Sequence, residues 1–308
     1  MTESRSVLVL GGTGFLGRHL ARTLTARGDT VVSASRGGPV RVDLTATPPR
    51  ELTALLDRIR PDAVINASGR AWQATDQEMW EGNAQAVERL AEAMTALPYG
   101  PRLIHLGSVH EYGPGTPGAG TPEDRVPAPV AAYGRSKLRG SEAVLEAART
   151  AGLDAVVLRL GNVCGAGTPR GSLLGAIGAQ LTRAGDGPLG LRLPPLTSWR
   201  DVIDVRDAVD AVLAAVPAGD GVINIGGGAA VLMRELVERL IKLSEVAVEI
   251  TDEPVGAPGT PPRVDADWQL LDISKAGRVL GWSPRRDLDD SLRELLATAR
   301  NDIMEGKK

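Results

Sequence analysis

Short apolar runs alternate with longer amphipathic stretches along the first half of the chain. Residues 7–10 form an apolar run that ends in glycines, and residues 18–26 carry helical spacing that stops at Gly28-Asp29. Further strands are predicted at 30–34, 63–66, 103–106 and 155–160, the run at 63 being entered through Pro61-Asp62. Helices are predicted at 51–59, at 76–97 up to Pro98, and at 133–150, with a Gly/Pro loop over 113–129. Strict alternation of strand and helix implies parallel strands joined by crossover helices, an α/β doubly wound sheet.

After Gly161 the rhythm breaks. Residues 164–200 are rich in Gly, Pro and Leu; then a helix is predicted at 205–216 and a strand at 222–225. Amphipathic helices follow at 231–243 and 288–300, separated by a Pro-rich stretch at 253–263. The expected organisation is a dinucleotide-binding domain over 1–163, rejoined by 200–230, with a smaller substrate-binding lobe from 164–199 and 231–308. Ligands of open parallel sheets lie beyond the carboxyl ends of the strands, so such a lobe would close over the substrate.

Composition narrows the function classes. A net charge of -3 leaves no broad basic field for nucleic acid or an anionic membrane, so no such partner is expected. The single cysteine, Cys164, excludes an internal disulfide and a Cys-based zinc cage, and no metal is expected. No apolar run is long enough to span a bilayer. The polar N-terminus enters a strand too early for a signal peptide, so a cytoplasmic location is expected.

The strongest chemical signal is VLVLGGTGFLG at 7–17, which sets G-x-x-G-x-x-G between a strand and a helix. Gly11 allows the tight turn, Gly14 lets backbone approach a pyrophosphate, and Gly17 lets helix and strand pack closely. The helix N-terminus then faces the phosphates with free N–H groups. The second strand ends Ala34-Ser35-Arg36, with no acid for a ribose 2′-hydroxyl. Arg36 suits a 2′-phosphate, which favours NADP(H), and Asp43 would then approach the adenine edge; the competing reading of Arg36 is a solvated loop cation.

The chain resembles the extended short-chain dehydrogenase/reductase family of epimerases, dehydratases and ketoreductases. The resemblance rests on GGTGFLG at 11–17, RPDAVINASG at 60–69, HLGSVHEYG at 105–113, YGRSK at 133–137 and RLGNVCG at 159–165. It continues through RDVIDVRDAV at 200–209, NIGGG at 224–228 and DISKAGRVLGWSP at 272–284. The resemblance implies a Rossmann-type sheet, a homodimer, and a catalytic set of Ser108, Tyr133 and Lys137. Tyr133 and Lys137 stand four apart at a helix start and share a face, so the ammonium is expected to lower the phenol pKa. It further implies cofactor contacts from Thr13, Phe15 and Leu16, from Ser35, Arg36, Asp43 and Leu44, and from Lys137 and Tyr133. Ala67, Ser68, Gly69 and Asn83 complete that set. Asn162 and Arg200 match positions that contact a nucleotide-sugar diphosphate, against the competing reading of a buried loop network. Arg70, Trp72, Ser108 and His110 would border the sugar, against the competing reading of a half-buried Trp72 that merely packs.

Departures from each subgroup's pattern choose among reactions. Sugar 4,6-dehydratases carry Asp-Glu where this chain has Val109-His110, which argues against dehydration. Cys164 lies outside the place where combined epimerase-reductases keep a cysteine, and reads as an apolar packer. The expected activity is reduction by NADPH of the 4-keto group of a nucleotide-activated 6-deoxyhexose, dTDP-linked, of the kind made for deoxysugars of natural products. The rival readings are a sugar-nucleotide 4-epimerase holding NAD, a non-enzymatic NADP sensor, and a reductase of a non-sugar ketone or aldehyde.

Overall fold

The computed structural model describes residues 4–185, 187–253 and 267–304. The Pro-rich stretch at 253–263 lies outside them apart from Glu253. The chain begins β1 (Ser6–Leu10), α1 (Phe15–Ala26), β2 (Thr30–Ser35), β3 (Val40–Arg41), α2 (Pro49–Ile59) and β4 (Ala63–Asn66). The helix predicted as one piece at 76–97 is α3 (Asp76–Trp80), a π-helical turn (Glu81–Gln85) and α4 (Ala86–Thr95). Next come β5 (Arg102–Ser108), a 3-10 turn (Val109–Glu111), α5 (Ala132–Ala151), β6 (Ala155–Leu160) and β7 (Asn162–Cys164). The remainder is α6 (Leu173–Leu181), β8 (Leu189–Leu193), β9 (Trp199–Asp204), α7 (Val205–Ala215), β10 (Gly221–Ile225), β11 (Ala230–Leu232), α8 (Met233–Ser244) and β12 (Val248–Asp252). The described chain closes with α9 (Ser274–Leu280) and α10 (Leu288–Met304).

Seven parallel strands among the described residues form the central sheet, in the order β10-β6-β5-β4-β1-β2-β3. The order reverses at β1, which pairs with β2 on one side and β4 on the other. That is a doubly wound sheet, and the crevice at its switch point is where ligands bind. The inner strands β1, β4, β5 and β6 are buried on both faces, as parallel strands under crossover helices are. One face packs on α1 and α7 through Leu20, Leu24, Val209 and Val212. The other packs on α2, α4 and α5 through Leu52, Leu56, Leu90, Met94 and Val144.

A third apolar cluster gathers α6, α8 and α10 with β8, around Ile177, Leu191, Leu236, Leu240, Leu292 and Leu295. Two small sheets serve it, β11-β9-β7 and β12-β8. The strands at 189–193, 199–204 and 248–252 are not among those predicted; each pairs with a segment distant in the chain.

Candidate active site

The turn between β1 and α1 is built for close backbone contact. Gly11 has φ +75, and a Cβ there would meet Ala67 O and Ser68 N at 2.8 Å. A Cβ at Gly17 would lie 2.1 Å from Gly11 O, so this position accepts only glycine without moving backbone. Gly14 caps α1 with no side-chain hydrogen bond, and no acid stands in the first helical turn. The N–H groups of the first turn of α1 are thus not capped by a side chain, which suits an anion such as a pyrophosphate. These features fit a dinucleotide.

The end of β2 closes on this turn. Thr13 donates to Ser35 Oγ at 2.9 Å. Arg36 is exposed just beyond. The Asp43 carboxylate accepts from Thr45 N at 3.0 Å and Thr45 Oγ1 at 2.7 Å, and these bonds, with Arg36 and Arg70 nearby, hold it below the usual carboxylate range. Leu44 is buried under α2 and α4.

At the end of β4, Asn66 Oδ1 accepts from Ser68 N and Ser68 Oγ, and Asn66 Nδ2 reaches His105 Nδ1 at 3.2 Å. This fixes Ala67, Ser68 and Gly69 against the glycine turn. Asn83 is buried in the π-helical turn, and its side chain is committed to protein partners. Its Oδ1 accepts from Arg70 N at 2.7 Å, while Nδ2 donates to Arg70 O at 2.7 Å and Ser136 Oγ at 3.0 Å. Trp72 is exposed, with its Cβ close to Gly171 on the loop before α6.

Ser108, Tyr133 and Lys137 come together where β5 ends and α5 begins. Tyr133 and Ser108 share a side-chain hydrogen bond. His110 lies edge-on to the Tyr133 ring, centroids 5.5 Å apart, and its Nδ1 meets Gln269 Nε2 at 3.3 Å. Lys137 is buried and donates to Leu106 O. Burial pushes the Tyr133 phenol up to about 12, against the Ser108 hydrogen bond and with help from the Glu111 charge. The expected lowering of this phenol by Lys137 is therefore corrected: burial governs it, and the ammonium is engaged by the β5 backbone and itself drawn down by burial. A phenol that stays protonated at neutral pH is a proton donor, the role a developing alkoxide needs.

Asn162 and Arg200 sit in the sheet β11-β9-β7, where Asn162 Nδ2 donates to Asp201 O at 3.0 Å and Arg200 Nη1 to Trp199 O at 3.0 Å. Arg200 is 5% exposed. Asp201, beside it, accepts from Gly227 N at 2.5 Å and Leu271 N at 3.0 Å, and burial raises its carboxyl to about 6. Cys164 is buried, and burial pushes its thiol up to about 12, so it is a neutral packing group at neutral pH. No group of three or more metal-ligating side chains occurs among the described residues. None of the helices described is long and apolar enough to cross a membrane.

Sequence reasoning passed over Glu111, His105 and Gln269. Ser108 and Glu111 form a capping box over the 3-10 turn, and its S-x-x-E spacing was a readable signal. His105 and Gln269 left none, because their partners are remote in the chain.

With a Rossmann sheet, a glycine turn and a Ser-Tyr-Lys cluster at its crevice, the architecture is that of an extended short-chain dehydrogenase/reductase. The profile of the NAD dependent epimerase/dehydratase family matches residues 7–226, and the chain belongs to that family. Its cofactor class is accordingly a nicotinamide dinucleotide. It is 46% identical over 307 residues to a dTDP-6-deoxy-L-talose 4-dehydrogenase (NAD(P)(+)) of Kitasatospora kifunensis, covering 96% of this chain and 95% of that protein. It is 26% identical to a GDP-6-deoxy-D-mannose reductase of Pseudomonas aeruginosa, covering 98% and 99%. Among solved structures, RMD from Pseudomonas aeruginosa complexed with NADPH superposes with a TM-score of 0.84 at 25% identity, covering 97% and 99%.

Proposed function

We propose that the protein is an NADP(H)-dependent 4-ketoreductase of a dTDP-linked 4-keto-6-deoxyhexose. The observation that carries this reading is the 46% identity, across nearly both full lengths, to a protein named for chemistry at carbon 4 of dTDP-6-deoxy-L-talose. That name describes the oxidative direction of the couple that a 4-ketoreductase runs in reverse. A cell keeps NADP mostly reduced, and Arg36 just after β2, a strand that ends without an acid, supports a 2′-phosphate.

When bound, the nicotinamide supplies the hydride. Tyr133 gives its phenolic proton to the ketone oxygen, and Ser108, already hydrogen-bonded to Tyr133, orients that oxygen. Lys137 holds the ribose hydroxyls and recharges the phenol. Thr13, Ser35 and Arg36 bind the adenosine end, with Asp43 and Leu44 bordering it. Asn83 acts on the cofactor through the Arg70 backbone it holds. Asn162 and Arg200 take the sugar diphosphate, and Arg70, Trp72 and His110 border the sugar. The described residues within 164–199 and 231–304 are assigned to the substrate lobe, and those within 4–163 and 200–230 to the dinucleotide domain.

The test follows nicotinamide absorbance in both directions: NADPH or NADH with dTDP-4-keto-6-deoxyhexoses, and NADP+ or NAD+ with dTDP-6-deoxytalose. NADPH-dependent reduction, lost by about 10²-fold or more in Tyr133→Phe, is the expected result. Silence with every pair, or near-full turnover by Tyr133→Phe, overturns the reading. Purified protein that carries bound nicotinamide and interconverts sugar nucleotides without consuming reductant is instead an epimerase.

A further inference from the structure

Beneath Ser108 lies a charged cluster that the reaction above does not use. Glu111 has no exposed surface and Arg159 is 3% exposed. Glu111 Oε1 accepts from Ser108 N at 2.8 Å and from Ser141 Oγ at 2.9 Å. Its Oε2 accepts from Arg159 Nε at 2.7 Å, and the Arg159 guanidinium lies 4.3 Å over the Tyr112 ring. Ser141 follows Tyr133 and Lys137 at helical intervals of four, so all three belong to one stripe of α5. Gly107 makes room for this carboxylate, because a Cβ would come within 2.7 Å of Glu111 Oε1.

We propose that Glu111 is a positioning residue for the reaction: one buried carboxylate ties the strand end bearing Ser108 to the helix face bearing Tyr133 and Lys137, and sets the field in which they exchange a proton. This rests on the reading of Ser108, Tyr133 and Lys137 as the reacting set. A buried carboxylate is retained only when paired and hydrogen-bonded, and all three bonds of Glu111 run to different elements. The carboxylate is paired with Arg159, and Arg159 lies in turn over Tyr112, whose hydroxyl donates to Asn224 Oδ1 at 2.8 Å. The groups that act on Tyr133 or Lys137 are Ser108, His110 and Glu111, with His105 in turn feeling the Lys137 charge. Of these, Glu111 is the anion, and its charge favours both the Lys137 ammonium and the neutral Tyr133 phenol.

Three variants separate position from charge. Glu111→Gln removes the anion, which lowers the cost of tyrosinate. The alkaline limb of the reduction profile then moves down by about one pH unit. Glu111→Asp keeps the charge but shortens the reach, and Ser141→Ala removes only the tie to α5. Both should lose kcat by about tenfold or more, with substrate and NADPH KM near wild type and the pH midpoint unmoved. A purely structural ion pair would not shift that midpoint.

A substrate-free readout accompanies the kinetics. The chain has three tyrosines, so tyrosinate absorbance can be titrated and the Tyr133 part taken by difference from Tyr133→Phe. That part should titrate about one unit lower in Glu111→Gln. Identical Tyr133 titrations overturn the charge role, and full kcat in Ser141→Ala overturns the tie. If Glu111→Gln does not fold, Ser141→Ala and Glu111→Asp decide, with melting temperature as the control. A wild-type protein inert toward every sugar nucleotide defeats the functional reading, while the titration still judges this one.

Discussion

Arg36 and Asp43 stand within one short stretch, yet they are held very differently. Asp43 is locked into a turn with Thr45, while Arg36 projects from the end of β2. A charge-assisted contact to a 2′-phosphate is worth about 1.5–3 kcal/mol. Arg36→Ala should therefore raise the KM for NADPH by roughly tenfold to a hundredfold and leave that for NADH nearly unchanged. Equal changes for both cofactors would show that Arg36 does not read the phosphate. Residues with a fixed chemical type at a fixed spacing, such as Ser108, Tyr133 and Lys137, were legible in the sequence. His105 and Gln269 were not. Each makes its side-chain contact with a residue tens of positions or more away, His105 with Asn66 and Gln269 with His110, and no local pattern records such a contact.

Among elements, the helix predicted at 76–97 is the informative case. Its apolar spacing was correct for a helix facing the sheet, but an extra residue is accommodated in the π-helical turn at Glu81–Gln85. Such bulges turn a side chain out of its ordinary place, often where function needs it. Here the turn carries Asn83, which joins the Arg70 backbone to Ser136 on α5. Gly140 lets α5 approach, since a Cβ there would lie 2.2 Å from Asn83 O. Gly140→Ala should cost about 1–3 kcal/mol in denaturant unfolding and lower turnover as well. Full stability in that variant would mean the helices separate freely. The alternating first half of the chain was readable because each strand is flanked by its own crossover helix. The short strands β7, β8, β9, β11 and β12 were not, since pairing partners rather than periodicity define them.

On the scale of the whole molecule, Asp201 joins three distant stretches: β9, the glycines after β10, and the segment at Leu271. Burial raises its carboxyl from an ordinary 3.8 to about 6. The folded protein thus keeps this proton to higher pH than the unfolded chain does. Between those two values the native state binds more protons, so this group's contribution to stability is greatest below about 4 and is lost as pH rises through about 6. The loss is at most about 3 kcal/mol. Asp201→Asn should be less stable overall but should lack that part of the slope in urea unfolding across the same range. An unchanged slope would place the titration elsewhere.

The loop at 165–168 is held from an unexpected direction: Arg18 Nη2 donates to Gly167 O at 2.6 Å, and His19 Nε2 meets Ala166 O at 2.8 Å. Both side chains belong to α1, the helix whose first turn faces the proposed pyrophosphate. The same loop continues to Gly171, beside Trp72 at the proposed sugar pocket. Whatever steadies α1 therefore steadies the second ligand's surroundings. In kinetic terms we expect from this a compulsory-order scheme, with cofactor entering before sugar nucleotide and leaving after it. A dead-end sugar nucleotide should accordingly inhibit uncompetitively against NADPH, whereas mixed inhibition would mean that the sugar enters the free protein on its own.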